Sequence, residues 1–157
     1  MALDVIASER IDAAPEVVAA YEFEPANDPT WIGGVRTSQR LTDGASGLGS
    51  RVRRRGAFLG RPIEWVMDVV ELEPARRLAM HAVRSPFPMD VTYELEPAAG
   101  GSTTARIRIR GEAAGMYGLL GPLTPWMVRR SVQSDLRRLR RAVESGDESG
   151  PPSGSHD

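Results

Sequence analysis

Cysteine and lysine are both missing from this 157-residue chain, and only two histidines occur. Without cysteine there are no disulfides, no thiol nucleophile and no thiolate-ligated metal. With two histidines no histidine-rich metal centre forms either, and no metal ligand set is assigned. Positive charge is carried by arginine alone, and with 20 basic against 21 acidic residues the formal charge is -1. That balance lacks the basic excess of a dedicated nucleic-acid binder, so no nucleic-acid partner is expected. Apolar runs are also short. None reaches the ~18–20 residues that span a bilayer, so no stable membrane insertion is expected. The start, Met1 to Arg10, has no basic stretch leading into a long apolar core. It does not read as a secretory signal, and a cytoplasmic location is the default expectation.

What remains is 41% hydrophobic, enough for one core in a chain of single-domain length. Residues 3–11 read as a first strand. Pro15 then suits the first turn of a helix, where its missing N–H does no harm, with Val17, Val18 and Tyr21 on an apolar side. Pro25 and Asn27-Asp28-Pro29 break that helix, and a second short one over Pro29–Ile32 ends at Gly33-Gly34. Six strands follow, over residues 35–42, 50–58, 63–73, 76–84, 88–96 and 103–113. The alternation is clearest where Ile63, Trp65, Met67 and Val69 oppose Glu64 and Asp68, and where Ile107 and Ile109 oppose Arg106, Arg108 and Arg110. One dry and one wet face is the signature of an antiparallel sheet, and the short connections suit a meander. Thr124-Pro125 opens a long helix with Thr124 as its cap. Val128, Val132, Leu136, Leu139 and Val143 stripe one side of it, while Arg129, Arg130, Arg137, Arg140 and Arg141 lie opposite. The helix is expected to fade at Glu144-Ser145-Gly146, giving a domain over 1–145 and a polar, disordered tail over 146–157. The class is α+β, an antiparallel sheet curled around a C-terminal helix.

Several local signatures occur in that order. They are Ile11-Asp12-Ala13-Ala14-Pro15-Glu16-Val17, Trp31 after the first helix, Gly47-Leu48-Gly49 leading into a strand, Val69 to Pro74 followed by Arg77, and Leu136-Arg137-Arg138-Leu139. Together they resemble the SRPBCC (START/Bet v 1-like) superfamily, nearest to its polyketide cyclase/dehydrase and lipid-transport group, over residues 3–145. The resemblance implies a helix-grip fold with a cavity between sheet and C-terminal helix. It implies a small hydrophobic or amphipathic partner and no cofactor. The superfamily has no single catalytic motif, so no reaction comes with the fold.

Trp65, Met67, Met80, Met89 and Tyr93 fall on or near the concave face, where they line a pocket or simply pack the core. Val128, Val132 and Leu136 close it from the helix. Trp31, Phe58, Met116 and Tyr117 are rim candidates, and the glycines around Met116 allow either a lid or a tight turn. Arg54 shares its parity with Val52 and Phe58. If it points inward it needs a partner, because an isolated buried charge costs too much. Glu9 and Asp135 are the candidate partners, and with Arg54 they are the candidate catalytic set. His81 opposes Leu78, Met80 and Ala82 and therefore reads as solvent-facing. Neither Gly33-Gly34 nor Gly47-Leu48-Gly49 precedes a helix as a phosphate loop does, and there is no Walker lysine. Three functions remain open: a binder or carrier of a small apolar molecule, a polyketide cyclase or dehydratase, and an interaction module such as a homodimer.

Overall fold

The computed structural model describes residues 2–43, 47–58, 60–85, 88–112 and 123–149. Strand β1 (Ala2–Ile11) leads into α1 (Pro15–Glu22), a single 3-10 turn (Pro25–Asn27) and α2 (Asp28–Trp31). Strands β2 (Val35–Arg40), β3 (Arg51–Phe58), β4 (Arg61–Glu73), β5 (Arg77–Arg84), β6 (Met89–Ala98) and β7 (Ser102–Glu112) follow, and α3 (Leu123–Ser149) ends the described chain. The seven strands form one antiparallel sheet in the order β1-β7-β6-β5-β4-β3-β2. Successive strands pair as a meander from β2 to β7. β1 closes on β7 along its whole length, from Ala2 opposite Glu112 to Ile11 opposite Thr103. This is the curled sheet gripping a helix that the alternation and the element order imply.

Strand polarity explains where the charge goes. Inward positions carry Val5, Ala7, Met67, Val69, Val91, Tyr93, Leu95 and Ile107, all buried. Outward positions carry cross-strand ion pairs: Arg108 with Asp4, Arg51 with Asp68, and Arg55 with Glu64. Such exposed pairs contribute at most about 1 kcal/mol each. Their chief effect is to keep the convex face wet. Helix α3 turns Val132, Leu136, Leu139 and Val143 onto the concave face, all nearly inaccessible to water. Arg129, Arg130, Arg137 and Arg141 stay exposed, whereas Arg140 is half-buried and pairs with Glu9 of β1.

Three features differ from the sequence reading. α3 starts at Leu123, one residue before the expected cap. It also runs to Ser149, past the Glu144-Ser145-Gly146 stop and therefore past the boundary set at 146 for the tail. A lone glycine in a helix costs only about 1 kcal/mol, which the cooperativity of a long helix absorbs. Trp31 is not a rim residue. It is 1% exposed, because α2 folds back between β2 and α3 and carries the indole into the core.

Gly56 marks a tight point in this arrangement. A β-carbon built on it would lie 1.7 Å from the carbonyl oxygen of Gly34, which accepts the Ala57 N–H at 3.0 Å. The end of α2 and the start of β2 therefore rest directly on β3, backbone against backbone. Gly56→Ala is expected to destabilise the fold by roughly 1–3 kcal/mol, since backbone must move to admit even a methyl group. Urea denaturation should show a lowered midpoint with an unchanged slope.

Candidate functional site

Strand pairing sets Ser38, Arg54 and Trp65 side by side across β2, β3 and β4, all on one face. Arg54 lies on the inner face with Val52, and both are buried. Its Nε donates to Asp28 Oδ2 at 2.9 Å, one Nη donates to the Tyr93 hydroxyl at 3.2 Å, and the other lies 3.8 Å from Met67 Sδ. Ser38 Oγ donates to the same Asp28 oxygen at 2.7 Å. The partner of Arg54 is thus Asp28, the first residue of α2. It is neither Glu9 nor Asp135. Sequence parity could place Arg54 inside, but nothing in a helix-starting Asp-Pro announces that its carboxylate will turn into the core.

Glu9 and Asp135 serve other contacts. Glu9 accepts from Gln133 at 3.0 Å and pairs with Arg140, tying β1 to α3. Asp135 Oδ1 accepts the Gly33 N–H at 2.9 Å and an Arg138 Nη at 2.7 Å, while Arg138 Nε reaches the Trp31 carbonyl at 3.1 Å. Together they clamp the end of α2 to α3. A β-carbon at position 33 would displace the Arg138 guanidinium from its place in this clamp. Burial pushes the Asp135 pKa up, against the Gly33 and Arg138 hydrogen bonds that pull it down.

One acid was missed altogether. Glu22, the last residue of α1, is 1% exposed, and both its carboxyl oxygens are buried without a hydrogen-bond partner among the described residues. Burial, and then the nearby Asp28 charge, push its pKa well above the ordinary carboxylate range. A carboxyl group in such a place neutralises rather than holding a charge. Its sequence context, Tyr21-Glu22-Phe23-Glu24, reads as a solvated helix end, so no pattern singled it out. Tyr93 stays protonated as well: burial raises its pKa, and Arg54 opposes that only in part. Burial also acts against the Arg54 charge, but Tyr93 and Asp28 outweigh it and its pKa rises. With the Tyr93 phenol neutral, the charge balancing Arg54 at neutral pH is Asp28.

These groups border a cavity of about 40 Å³ on the concave side. Glu22, Asp28, Arg54 and Tyr93 make its polar wall, and Val69, Leu72, Leu78 and Met80 make part of its apolar wall. That volume holds roughly one to three waters. Phe23 stacks on Tyr93 at 6.3 Å between ring centres, and Trp31 meets it edge-on at 5.7 Å. Trp65, Met67, Val132 and Leu136 are buried in the surrounding core, whereas Met89 and Val128 are partly exposed against it. His81 lies outside, exposed and 2.6 Å from Asp90. Met116, Tyr117 and the side chain of Phe58 lie outside the described residues.

Two outcomes are expected. Asp28→Ala should cost about 3–5 kcal/mol in urea denaturation, because it strands the buried Arg54 charge. Replacing both partners, Asp28→Leu with Arg54→Met, should recover much of that loss. For Glu22 the folded pKa lies above the unfolded one, so above the ordinary carboxylate range the unfolded chain has released a proton that the folded chain keeps. Stability therefore falls as pH rises from that range toward the folded pKa. Glu22→Gln should remove this contribution, so the melting temperature of the variant should gain on the parent as pH is raised from about 5 to about 8.

Comparisons with known proteins bear on the whole domain. The family model for polyketide cyclase / dehydrase and lipid transport matches residues 2–144. No curated protein matches the chain in sequence. Among solved structures, a START superfamily protein from Mycobacterium smegmatis superposes with a TM-score of 0.79 at 14% identity, covering 90% of this chain and 97% of its own. A Thermus thermophilus protein gives 0.78 at 20% identity, covering 90% and 97%. The Zhui aromatase/cyclase from Streptomyces sp. R1128 gives 0.74 at 20% identity, covering 96% and 100%. At these identities the likeness is one of fold.

Proposed function

We propose, from the premise that this chain belongs to the polyketide cyclase / dehydrase and lipid transport family, that it binds or carries a small amphipathic molecule on the concave side of the sheet. The ligand's apolar body would lie against the Val69, Leu78 and Met80 side of the cavity, and its polar end would meet Glu22, Arg54 and Tyr93. One observation carries this reading. Both carboxyl oxygens of Glu22, on the cavity's polar wall, are buried without a hydrogen-bond partner among the described residues, and so are the indole nitrogens of Trp31 and Trp65 in the surrounding core. Each such orphan costs about 1–3 kcal/mol. A core selected only for stability would have replaced them with apolar groups.

The cavity is far smaller than the several hundred Å³ that hold a drug-sized ligand. Entry of a ligand therefore requires side chains to move. Met80 in the wall, and Met67 in the core beside Arg54, are unbranched and adaptable, which suits an interior that must repack. Purified protein analysed by native mass spectrometry, and by organic extraction, is expected to carry or take up a lipid-like or aromatic molecule at one per chain. Protein that emerges empty, and stays empty when offered a panel of fatty acids, sterols and polycyclic aromatics, would overturn the reading.

A second reading is a cyclase or dehydratase, and the specific observation favouring it is the neutral carboxyl of Glu22 in the same cavity as Arg54. The activity named for the Streptomyces neighbour supports the same class. In a dehydration, Arg54 would polarise a neighbouring carbonyl, Glu22 would protonate the hydroxyl that departs as water, and the Glu22 carboxylate so formed would take the proton lost from the adjacent carbon as the carbon–carbon double bond forms. Glu22→Gln would then abolish turnover while leaving binding within a few-fold. Equal losses in both would speak for the binder alone.

A further inference from the structure

The polar wall of the cavity is electrically closed. Arg54 contributes one positive charge and Asp28 answers it at 2.9 Å, with Ser38 completing the carboxylate's coordination. The other titratable groups facing the same space are Glu22 from α1 and Tyr93 from β6. Both are fully enclosed, and neither has a cationic partner to spare. Anion-binding pockets work by the opposite arrangement, presenting a cation in excess of its local counter-charge. Here the guanidinium is already committed, so an incoming carboxylate or phosphate would meet the Asp28 charge with nothing to balance its own.

Glu22 meanwhile offers an uncommitted carboxyl group. As an acid it has one O–H donor and a carbonyl acceptor side by side. Glu22 is part of the cavity's lining, and both its carboxyl oxygens lack partners among the described residues. The complementary group on a ligand is an uncharged oxygen function, such as a ketone, an enol or a phenol.

We propose that the Glu22 carboxyl is the hydrogen-bonding anchor of this cavity, and that the closed Arg54–Asp28 pair restricts it to ligands whose polar end is uncharged. This deepens the ligand-binding reading and rests on it. Glu22 acts by direct contact with the ligand, while Asp28 and Ser38 are positioning residues that hold Arg54 neutralised.

The test uses three probes of nearly equal size with quenching of tryptophan fluorescence: naphthalene, 2-acetonaphthone and 2-naphthoate. At pH 7.5 the ketone should bind at least tenfold more tightly than naphthoate and more tightly than naphthalene. Glu22→Leu should weaken the ketone about tenfold and leave naphthalene within twofold, whereas Glu22→Gln, which keeps one donor and one acceptor, should lose no more than threefold. Both variants should melt no lower than the parent, because neither leaves an orphaned acid; a fold-supporting role for Glu22 would lower both. Tighter binding of naphthoate, or a ketone affinity indifferent to Glu22→Leu, would overturn the proposal while leaving apolar binding intact. Failure of all three probes to bind the parent protein would remove the ligand-binding reading and this proposal with it.

Discussion

The Arg54–Asp28 ion pair is the constraint around which the interior is arranged. It joins the third strand to the first residue of α2, 26 positions earlier in the chain, and both side chains are almost fully removed from water. Neither partner is tolerable alone in that setting, since a single buried charge costs several kcal/mol after all relaxation. Once paired, the two specify a geometry that an apolar contact would leave loose. Asp28 must sit where α2 begins, Ser38 must face it from β2, and Tyr93 must bring its hydroxyl across from β6. Four segments that are distant in sequence are thereby held to one point on the concave face.

The stability of such a centre is not its own justification. Hydrophobic residues of similar volume would pack the same space at less cost in desolvation. Glu22, with no hydrogen-bond partner among the described residues, adds a further unfavourable contribution, and so do the indole nitrogens of Trp31 and Trp65, unpaired among the same residues. Glu22 and the ion pair line the cavity and the two indoles lie in the core around it, while the convex face carries cross-strand ion pairs. An unpartnered acid beside a buried ion pair at a cavity is the pattern expected where function, rather than folding, chose the residues.

Much of this architecture could be read from residue order. Strand boundaries fall within about two residues of the alternation pattern, because a period of two with one wet face leaves little freedom in register. Helix α3 announced itself by the Val132, Leu136, Leu139 and Val143 spacing. The site was read less well, for identifiable reasons. Parity brought Arg54 inside but said nothing about which acid would meet it, since pairing across 26 residues depends on how α2 folds back. Asp135 stood out as a polar residue in an apolar stripe, yet its business is with the backbone of Gly33, a contact invisible to side-chain patterns. Glu22 and Asp28 lie at helix ends, where acids are ordinary, so local rules gave them no weight. Trp31 was assigned to the rim. Only the return of α2 onto α3 buries it.

The clamp between α2 and α3 has a mechanical corollary. Asp135 holds the Gly33 amide, Arg138 holds the Trp31 carbonyl, and Gly56 lies under Gly34 with no room for a methyl group. The long helix, the short helix and the inner edge of β3 are therefore bolted into a single stiff plate. The rest of the cavity's lining includes Phe23 and Pro25 from one part of the chain and Gly47, Ser50 and Leu72 from another. Among the described residues no hydrogen bond joins these two groups. Compliance is thus distributed unevenly around the void: the plate resists displacement, and the softer seam is where a guest molecule would find the wall that gives.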